Sequence, residues 1–411
     1  MSESKPNVTM PADAAYILHT LNQGGHEAYI VGGCVRDSIL GRIPQDWDIT
    51  TSALPQETKT FFDHTFDTGI QHGTITVVLH KENYEVTTYR VDGEYADCRH
   101  PDAVSFTKNL TEDLLRRDFT MNAIAYHPAE GFRDPFHGQE DIRAALIRGV
   151  GDPPKRFQED ALRMLRCVRF AAQLGFAVEG ETWAALCANT ALIRKISVER
   201  IYEELKKLWL SPYTEKMPLL WESGLLAQID PLLSERLIAR SEKLLAELAA
   251  CPTELIQRWC IVLQDYTPEE AKAFLKGMKC DNHTLKRICL LLEQLQTDAP
   301  TEAYPLRRLA GTIGAEATEE LLTLQSILRP ASPHKESRAV FEKILAAGDC
   351  LTLKTLALSG KELMAMGAPH GKELGEILAA LLDTVLREPA KNTTEILTEE
   401  GLSLLKAKGL R

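Results

Sequence analysis

Residues 30–50 read IVGGCVRDSILGRIPQDWDIT. The apolar run 28–31 has the look of a short strand that ends at Gly32-Gly33, and residues 35–40 then carry a helical pattern. A strand that turns through glycines into a helix presents backbone N–H groups at the positive end of that helix, a setting that suits a triphosphate. Gly33 lets the backbone approach such a ligand closely. Arg36 falls in the first helical turn, where its guanidinium can clamp a phosphate oxygen. Asp46 begins thirteen residues after Gly33, and residues 46–50 alternate as a strand does. In a strand, Asp46 and Asp48 point to one face and Trp47 to the other. Two carboxylates on one face repel unless a divalent cation lies between them, and hard oxygen ligands beside phosphate oxygens suit Mg²⁺.

Outward from this stretch, residues 16–21 are helical, beginning near Pro11 and stopping at Gly24 and Gly25. Segments 74–79 and 84–89 are rich in Thr, Val and Tyr and pair as strands. Glu85, on the second of them, is either a third carboxylate of the acidic site or an ordinary exposed strand position. Residues 90–101 carry Gly, Asp, Arg and His with little apolar content and are expected to be a mobile loop. Past about residue 149 strand signals nearly vanish. Patterns such as ALRMLRCVRFAAQLGF, SVERIYEELKKLWL and SEKLLAELAA run on to the end, with a break near 296–304. The expected architecture is an α/β head followed by an elongated all-helical remainder, without a fixed-period repeat.

Residues 159–170 read EDALRMLRCVRF. On one helix, Asp160 and Arg163 are neighbours three positions apart. A carboxylate accepts from an exocyclic amino group, and a guanidinium beside it donates to a bare ring nitrogen. Cytosine and adenine offer that pattern on their Watson–Crick edge, whereas uracil and guanine offer the reverse. The pair therefore selects C and A, or else is a plain surface ion pair worth a few tenths of a kcal/mol. Arg163, Arg166 and Arg169 recur every three residues. Like charges so stacked are costly unless anions cover them, so the strip is expected to meet a triphosphate or an RNA end.

Composition sets the outer bounds. The chain has 411 residues, enough for two to four domains. Its 47 Lys and Arg stand against 58 Asp and Glu, for a net charge of −11, so any polyanion must be met by locally placed positive charge. The first residues lack a basic region before an apolar stretch, so no secretory signal is expected. No run approaches a bilayer span. Nine cysteines are scattered without a CxxC pair. Cys34, Cys167, Cys187, Cys260 and Cys289 lie among apolar residues, which suggests small core residues in a reducing, cytoplasmic setting.

The stretch GGCVRDSILGRIPQDWDIT resembles the signature of the class II tRNA nucleotidyltransferases and their poly(A) polymerase relatives, a branch of the polymerase-beta-like nucleotidyltransferases. RRDFTMNA at 116–123 and Glu159, Asp160 and Arg163 of an EDxxR motif extend the resemblance over about residues 28–225. It implies two-metal nucleotidyl transfer with Asp46 and Asp48 as catalytic and metal-binding residues. It also implies a nucleotide site built from Gly33, Arg36, Arg117, Asp160, Arg163, Arg166 and Arg169. Arg117 would meet the triphosphate, Asp118 would accept from a ribose hydroxyl, and Glu159 would orient Arg163. The implied organisation is a head at 1–149, a neck at 150–212 that reads the base, a body at 213–300 and a tail at 301–411.

The substrates implied are tRNA, CTP and ATP, with Mg²⁺ as cofactor. The stretch TYRVDGEYADCRHPDAV resembles the loop of members that add all of C, C and A, and the end LSLLKAKGLR is only weakly basic, unlike the poly(A) polymerases. Full CCA addition is expected, with A-addition or poly(A) synthesis as alternatives. A different kind of alternative is a non-catalytic RNA-binding protein on the same scaffold, which would tend to lose Asp46 or Asp48. Gln264 stands in RWCIVLQD where a His-Asp phosphohydrolase motif needs its His, so that activity is not expected. Lys272, Lys276, Lys279, Lys286 and Arg287 are helix-spaced candidates for phosphate contacts on the tRNA, or else a solvated face.

Overall fold

The computed structural model describes residues 8–93 and 104–410. They fall into two compact units, 1–241 and 242–411. The first opens with helix α1 (Ala12–Gln23), which begins after Pro11 and buries Ala14, Ile17, Leu18 and Leu21. Strand β1 (Ala28–Val31) is buried along its whole length and ends where helix α2 (Gly33–Ile39) begins. β2 (Ile49–Thr51), helix α3 (Pro55–Phe61), β3 (Thr65–Gly69), β4 (Thr74–Leu79) and β5 (Glu82–Thr88) follow. After β6 (Arg90–Asp92) and β7 (Val104–Phe106) come helix α4 (Leu110–Leu115), β8 (Ala125–His127), β9 (Gly131–Arg133) and helix α5 (Gly138–Arg143).

Seven of these strands form one sheet in the order β3-β4-β5-β2-β1-β8-β9. Only β2 and β5 run parallel within it. The central strands β1 and β2 put the 30–50 stretch in the middle of the sheet. Tyr29, Val31, Tyr89, Leu114, Ala123, Ala125 and Val150 close a core over one face.

Three local expectations are corrected. The strand expected over 46–50 begins only at Ile49. The Val31 N–H still reaches the Asp48 carbonyl at 3.0 Å, but β1 then turns away at Gly32, so Asp46 and Trp47 have no neighbouring strand to pair with. The loop expected over 90–101 starts as strand, since Arg90, Val91 and Asp92 pair with Phe106, Ser105 and Val104. Its remaining residues from 94 lie outside the described ones. Past residue 149 a strand does recur, as β10 (Leu146–Ile147) pairs in parallel with β11 (Ala177–Val178).

Residues 159–170 form no single helix. Helix α6 (Pro153–Glu159) stops, Asp160 is extended at φ −139° and ψ 102°, and helix α7 (Leu162–Leu174) starts anew. The side chain of Asp160 accepts from the Leu162 N–H at 3.1 Å. An Asp at a helix start competes with the helix backbone for such donors, which favours a break there. Helices α8 (Gly180–Asn189) and α9 (Val198–Trp209) follow, and α9 packs on α7.

The second unit is helical throughout its described regular structure. Leu306, Leu322, Phe341 and Ile344 belong to one buried cluster, and Leu358, Leu363, Ile377, Leu381 and Leu397 to another. Among the described residues, no helix is long and apolar enough to cross a membrane.

Candidate active site

The turn between β1 and α2 holds Gly32 at φ +82°, a conformation that favours glycine. A Cβ there would stand 2.9 Å from Arg117 Nη1 and 3.9 Å from Asp48 Oδ2. The glycine turn, one arginine of the RRD segment and one carboxylate of the acidic pair thus meet at a single spot. Arg117 lies beyond the end of α4, and its Nη2 stands 3.7 Å from the buried Asp113 carboxylate. Asp113 also accepts from Arg116 Nε at 2.9 Å and from the Thr50 hydroxyl at 3.0 Å, so it ties α4 to β2. Arg117 Nε is buried without a hydrogen-bond partner, an uncommon cost that an incoming anion would relieve.

Burial raises the pKa of Asp48, Arg117 opposes that rise, and the nearby Asp46 carboxylate adds to it. Glu85 is also raised, by burial first and then by Asp48 and Asp46. The acidic groups of the segment before β2 and of β5 therefore sense one another, and their mutual repulsion is what a hard cation would neutralise. Among the described residues, no three Asp, Glu, His or Cys side chains form a group able to hold a metal ion. Asp46 and Asp48 fit Mg²⁺ as a pair that leaves the other positions to water and phosphate oxygens, the usual habit of that ion.

Arg36 is not free to clamp a phosphate with its whole fork. Its Nε and Nη2 donate to Asp37 at 2.9 and 3.0 Å, and its Nη1 to Asn122 Oδ1 at 2.6 Å. Asn122 Nδ2 in turn donates to Asp118 Oδ1 at 2.9 Å. Asp118 further accepts from the Phe119 N–H at 2.8 Å and from Arg166 Nε and Nη2. Those four bonds match the four acceptor positions of a carboxylate. The ribose-accepting role expected of Asp118 is therefore corrected, because protein donors saturate it.

The arginine strip is corrected in the same way. Arg163 pairs with Glu159 at 2.8 Å, Arg166 with Asp118 at 2.6 Å and Arg169 with Glu204 of α9 at 2.6 Å. Carboxylates of the protein itself pair with all three guanidinium groups. The guanidinium carbons of Arg169, Arg36 and Arg166 also lie 3.8, 5.0 and 5.3 Å from the centre of the Phe170 ring. One buried aromatic thus joins the turn helix α2 to α7.

The expected ion pair of Asp160 with Arg163 is not formed. Arg163 donates to Glu159, to the Arg156 carbonyl at 3.1 Å and to the Arg116 carbonyl at 2.7 Å. The orienting role expected of Glu159 agrees with that contact. Asp160 pairs instead with Arg200 of α9, Nη2 to Oδ2 at 2.8 Å. Asp113, Phe170, Arg200 and Glu204 escaped the sequence reading. The spacing of Arg200 and Glu204, four apart on one helix, was the available signal.

In the second unit, Lys272, Lys276, Lys279 and Lys286 are exposed. Arg287 is already held by Glu320 at 2.7 Å and Glu316 at 3.1 Å, which corrects its expected contact with phosphate. Gln264 donates to Glu247 at 2.6 Å and to the Ile261 carbonyl at 3.1 Å.

A mixed sheet whose central turn gathers an acidic pair and a half-satisfied arginine, followed by a helical segment rich in paired arginines, defines a nucleotidyltransferase. Residues 28–148 match the Poly A polymerase head domain, and residues 252–400 match domain 2 of the tRNA nucleotidyltransferases. The CCA-adding enzyme of Geobacillus sp. (strain WCH70) is 40% identical over 384 residues, covering 93% of this chain and 94% of that protein. The CCA-adding enzyme of Geobacillus stearothermophilus is 38% identical over 391 residues, with 93% and 94% covered. The crystal structure of the Bacillus stearothermophilus CCA-adding enzyme in complex with CTP superimposes with a TM-score of 0.81 at 35% identity, covering 97% of this chain and all of that one. The chain belongs to the CCA-adding enzymes.

Proposed function

We propose that this protein completes the 3′ end of tRNA by adding C, C and A in turn, taking CTP and ATP without a nucleic-acid template. The meeting of the Gly32 turn, Arg117 and Asp48 carries the reading, since it sets a buried unsatisfied donor beside a repelling acidic pair. The CTP held by the 35% identical relative is consistent with it. Asp46 and Asp48 are the residues that would hold Mg²⁺, which when bound would supply charge neutralisation of the triphosphate and ease ionisation of the 3′ hydroxyl. Arg117 receives the triphosphate beside the backbone of Gly33. Arg36, Arg166 and Arg169 frame that site through Asn122, Asp118 and Phe170.

Asp160 and Arg163 read the base. Three of the five N–H groups of Arg163 are occupied, which leaves two to donate to a ring nitrogen. The division of labour follows the chain: head 1–149, base-reading neck 150–212, and body 213–300 and tail 301–411 that grip the tRNA. Lys272, Lys276, Lys279 and Lys286 are the phosphate contacts in the body, and the reaction is cytoplasmic.

The test offers transcribed tRNA ending before CCA, after C or after CC, with CTP and ATP separately and together. Stepwise addition of all three residues supports the reading. Addition of A alone to the CC end, or an unlimited A tail, would replace it with the narrower A-adding or poly(A) activity. No incorporation despite tRNA binding would indicate a non-catalytic RNA-binding protein. Shortening residues 91–97 is expected to spare CC addition and to cripple the final A.

A further inference from the structure

Asp160 accepts three hydrogen bonds. Its Oδ1 takes the Leu162 N–H at 3.1 Å and Arg200 Nη1 at 3.3 Å, and its Oδ2 takes Arg200 Nη2 at 2.8 Å. Arg200 stands in the first turn of α9, forty residues further along the chain. A guanidinium that meets a carboxylate two-on-two holds it in one plane, which a single-point partner cannot do. An ionised carboxylate has about four acceptor positions, so one remains, and it belongs to Oδ2. One is the number that a single exocyclic amino group requires.

We infer that Arg200 is a positioning residue for base choice: its fork locks the Asp160 carboxylate so that only one acceptor position, on Oδ2, faces the incoming nucleobase. The inference rests on the base-reading role of Asp160 and deepens it. An unlocked carboxylate can rotate, turn a second lone pair to the base, or swing away from it. Cytosine and adenine then lose a preformed partner, and the rejection of uracil, which depends on a carbonyl facing a fixed carboxylate oxygen, weakens. Arg200 has no need to leave Asp160 during the reaction, because the fork and the base use different acceptor positions.

The experiment measures single-nucleotide incorporation of CTP, ATP and UTP on tRNA lacking its 3′ end, for wild type, Arg200→Ala, Arg200→Lys and Asp160→Ala, with the thermal midpoint of each. Arg200→Ala is expected to raise KM for CTP and ATP about tenfold, to change kcat much less, and to cut the preference for C over U by about tenfold. Arg200→Lys restores a charge but no fork, so it is expected to recover nucleotide affinity in part while the preference stays relaxed. A loss of packing alone would lower the midpoint and the overall rate without moving the ranking of bases. If Arg200→Ala or, where that variant does not fold, Arg200→Lys keeps the wild-type ranking while Asp160→Ala alters it, the positioning role is overturned and base reading by Asp160 stands. An unaltered ranking in Asp160→Ala overturns both.

Discussion

Arg166 closes on Asp118 with two donors to one oxygen, Nε at 2.9 Å and Nη2 at 2.6 Å from Oδ2, across forty-eight residues of chain. The pair joins the neck helix α7 to the RRD segment of the head. Burial works to raise the pKa of Asp118, yet the Arg166 charge and the bonds from Asn122 and Arg166 hold it well below the usual carboxylate range.

Breaking that pair leaves the Arg166 guanidinium, about one-third exposed, without its carboxylate. Asp118→Asn is expected to lose about 2 kcal/mol of unfolding free energy, measured by urea denaturation at pH 7. Because the folded-state pKa is depressed, the pair's contribution is fully present above the unfolded value of about 3.9 and fades as pH falls below it. The difference in stability between wild type and Asp118→Asn should therefore shrink on acidification below about pH 4. A constant difference down to strong acid would contradict the ion-pair account.

Asp48 behaves in the opposite sense. Its pKa is raised, by burial first and also by Asp46, against the pull of Arg117. A raised carboxylate favours folding only below its unfolded pKa, and that benefit is lost as pH rises through the folded-state value. At neutral pH the ionised group costs stability. Asp48→Asn is expected to abolish incorporation of CTP and ATP and yet to melt about 1–2 °C higher than wild type in metal-free buffer. Mg²⁺ should raise the wild-type midpoint and leave the variant unmoved, as followed by scanning calorimetry.

Phe170 touches three guanidinium groups at once. Each contact contributes on the order of 0.5–1 kcal/mol, so Phe170→Leu, which keeps an apolar side chain, loosens the arginines that frame the triphosphate. KM for CTP and for ATP should rise together by about three- to tenfold, and the preference for C and A over U should stay. Steady-state kinetics with the separate triphosphates would show the contrast with the Arg200 variants, and a shift confined to one base would argue against it.

The exposed lysines and the paired arginine of the second unit should separate cleanly. Lys272→Ala with Lys276→Ala is expected to weaken tRNA binding and to reduce the slope of log affinity against log salt by about 0.7–0.9 for each phosphate no longer neutralised. Arg287→Ala instead frees Glu320 and Glu316, and should lower the thermal midpoint with little change in that slope. Filter binding over a salt series, beside melting curves, decides between the two effects.

What the sequence by itself determined is local. Ala28–Val31 and Thr74–Leu79 are strands at the bounds their apolar and β-branched residues predict, because a strand's signal lies in adjacent side chains. The glycine turn and the acidic pair were legible for the same reason, being near neighbours in the chain. The partnership of Glu159 and Arg163, which face each other across the break at Asp160, came from the family resemblance and not from helical spacing. Only the tertiary structure decided who balances the remaining charges. Arg166 finds Asp118, Arg169 finds Glu204 and Arg200 finds Asp160 across 48, 35 and 40 residues. Periodicity shows that like charges recur, and cannot show which distant carboxylate the packing of α7 against α9 and the RRD segment will bring to them. The break at Asp160 has the same origin. Helical spacing favoured one continuous helix, whereas an acceptor held by the Leu162 N–H and the Arg200 fork is satisfied only outside it.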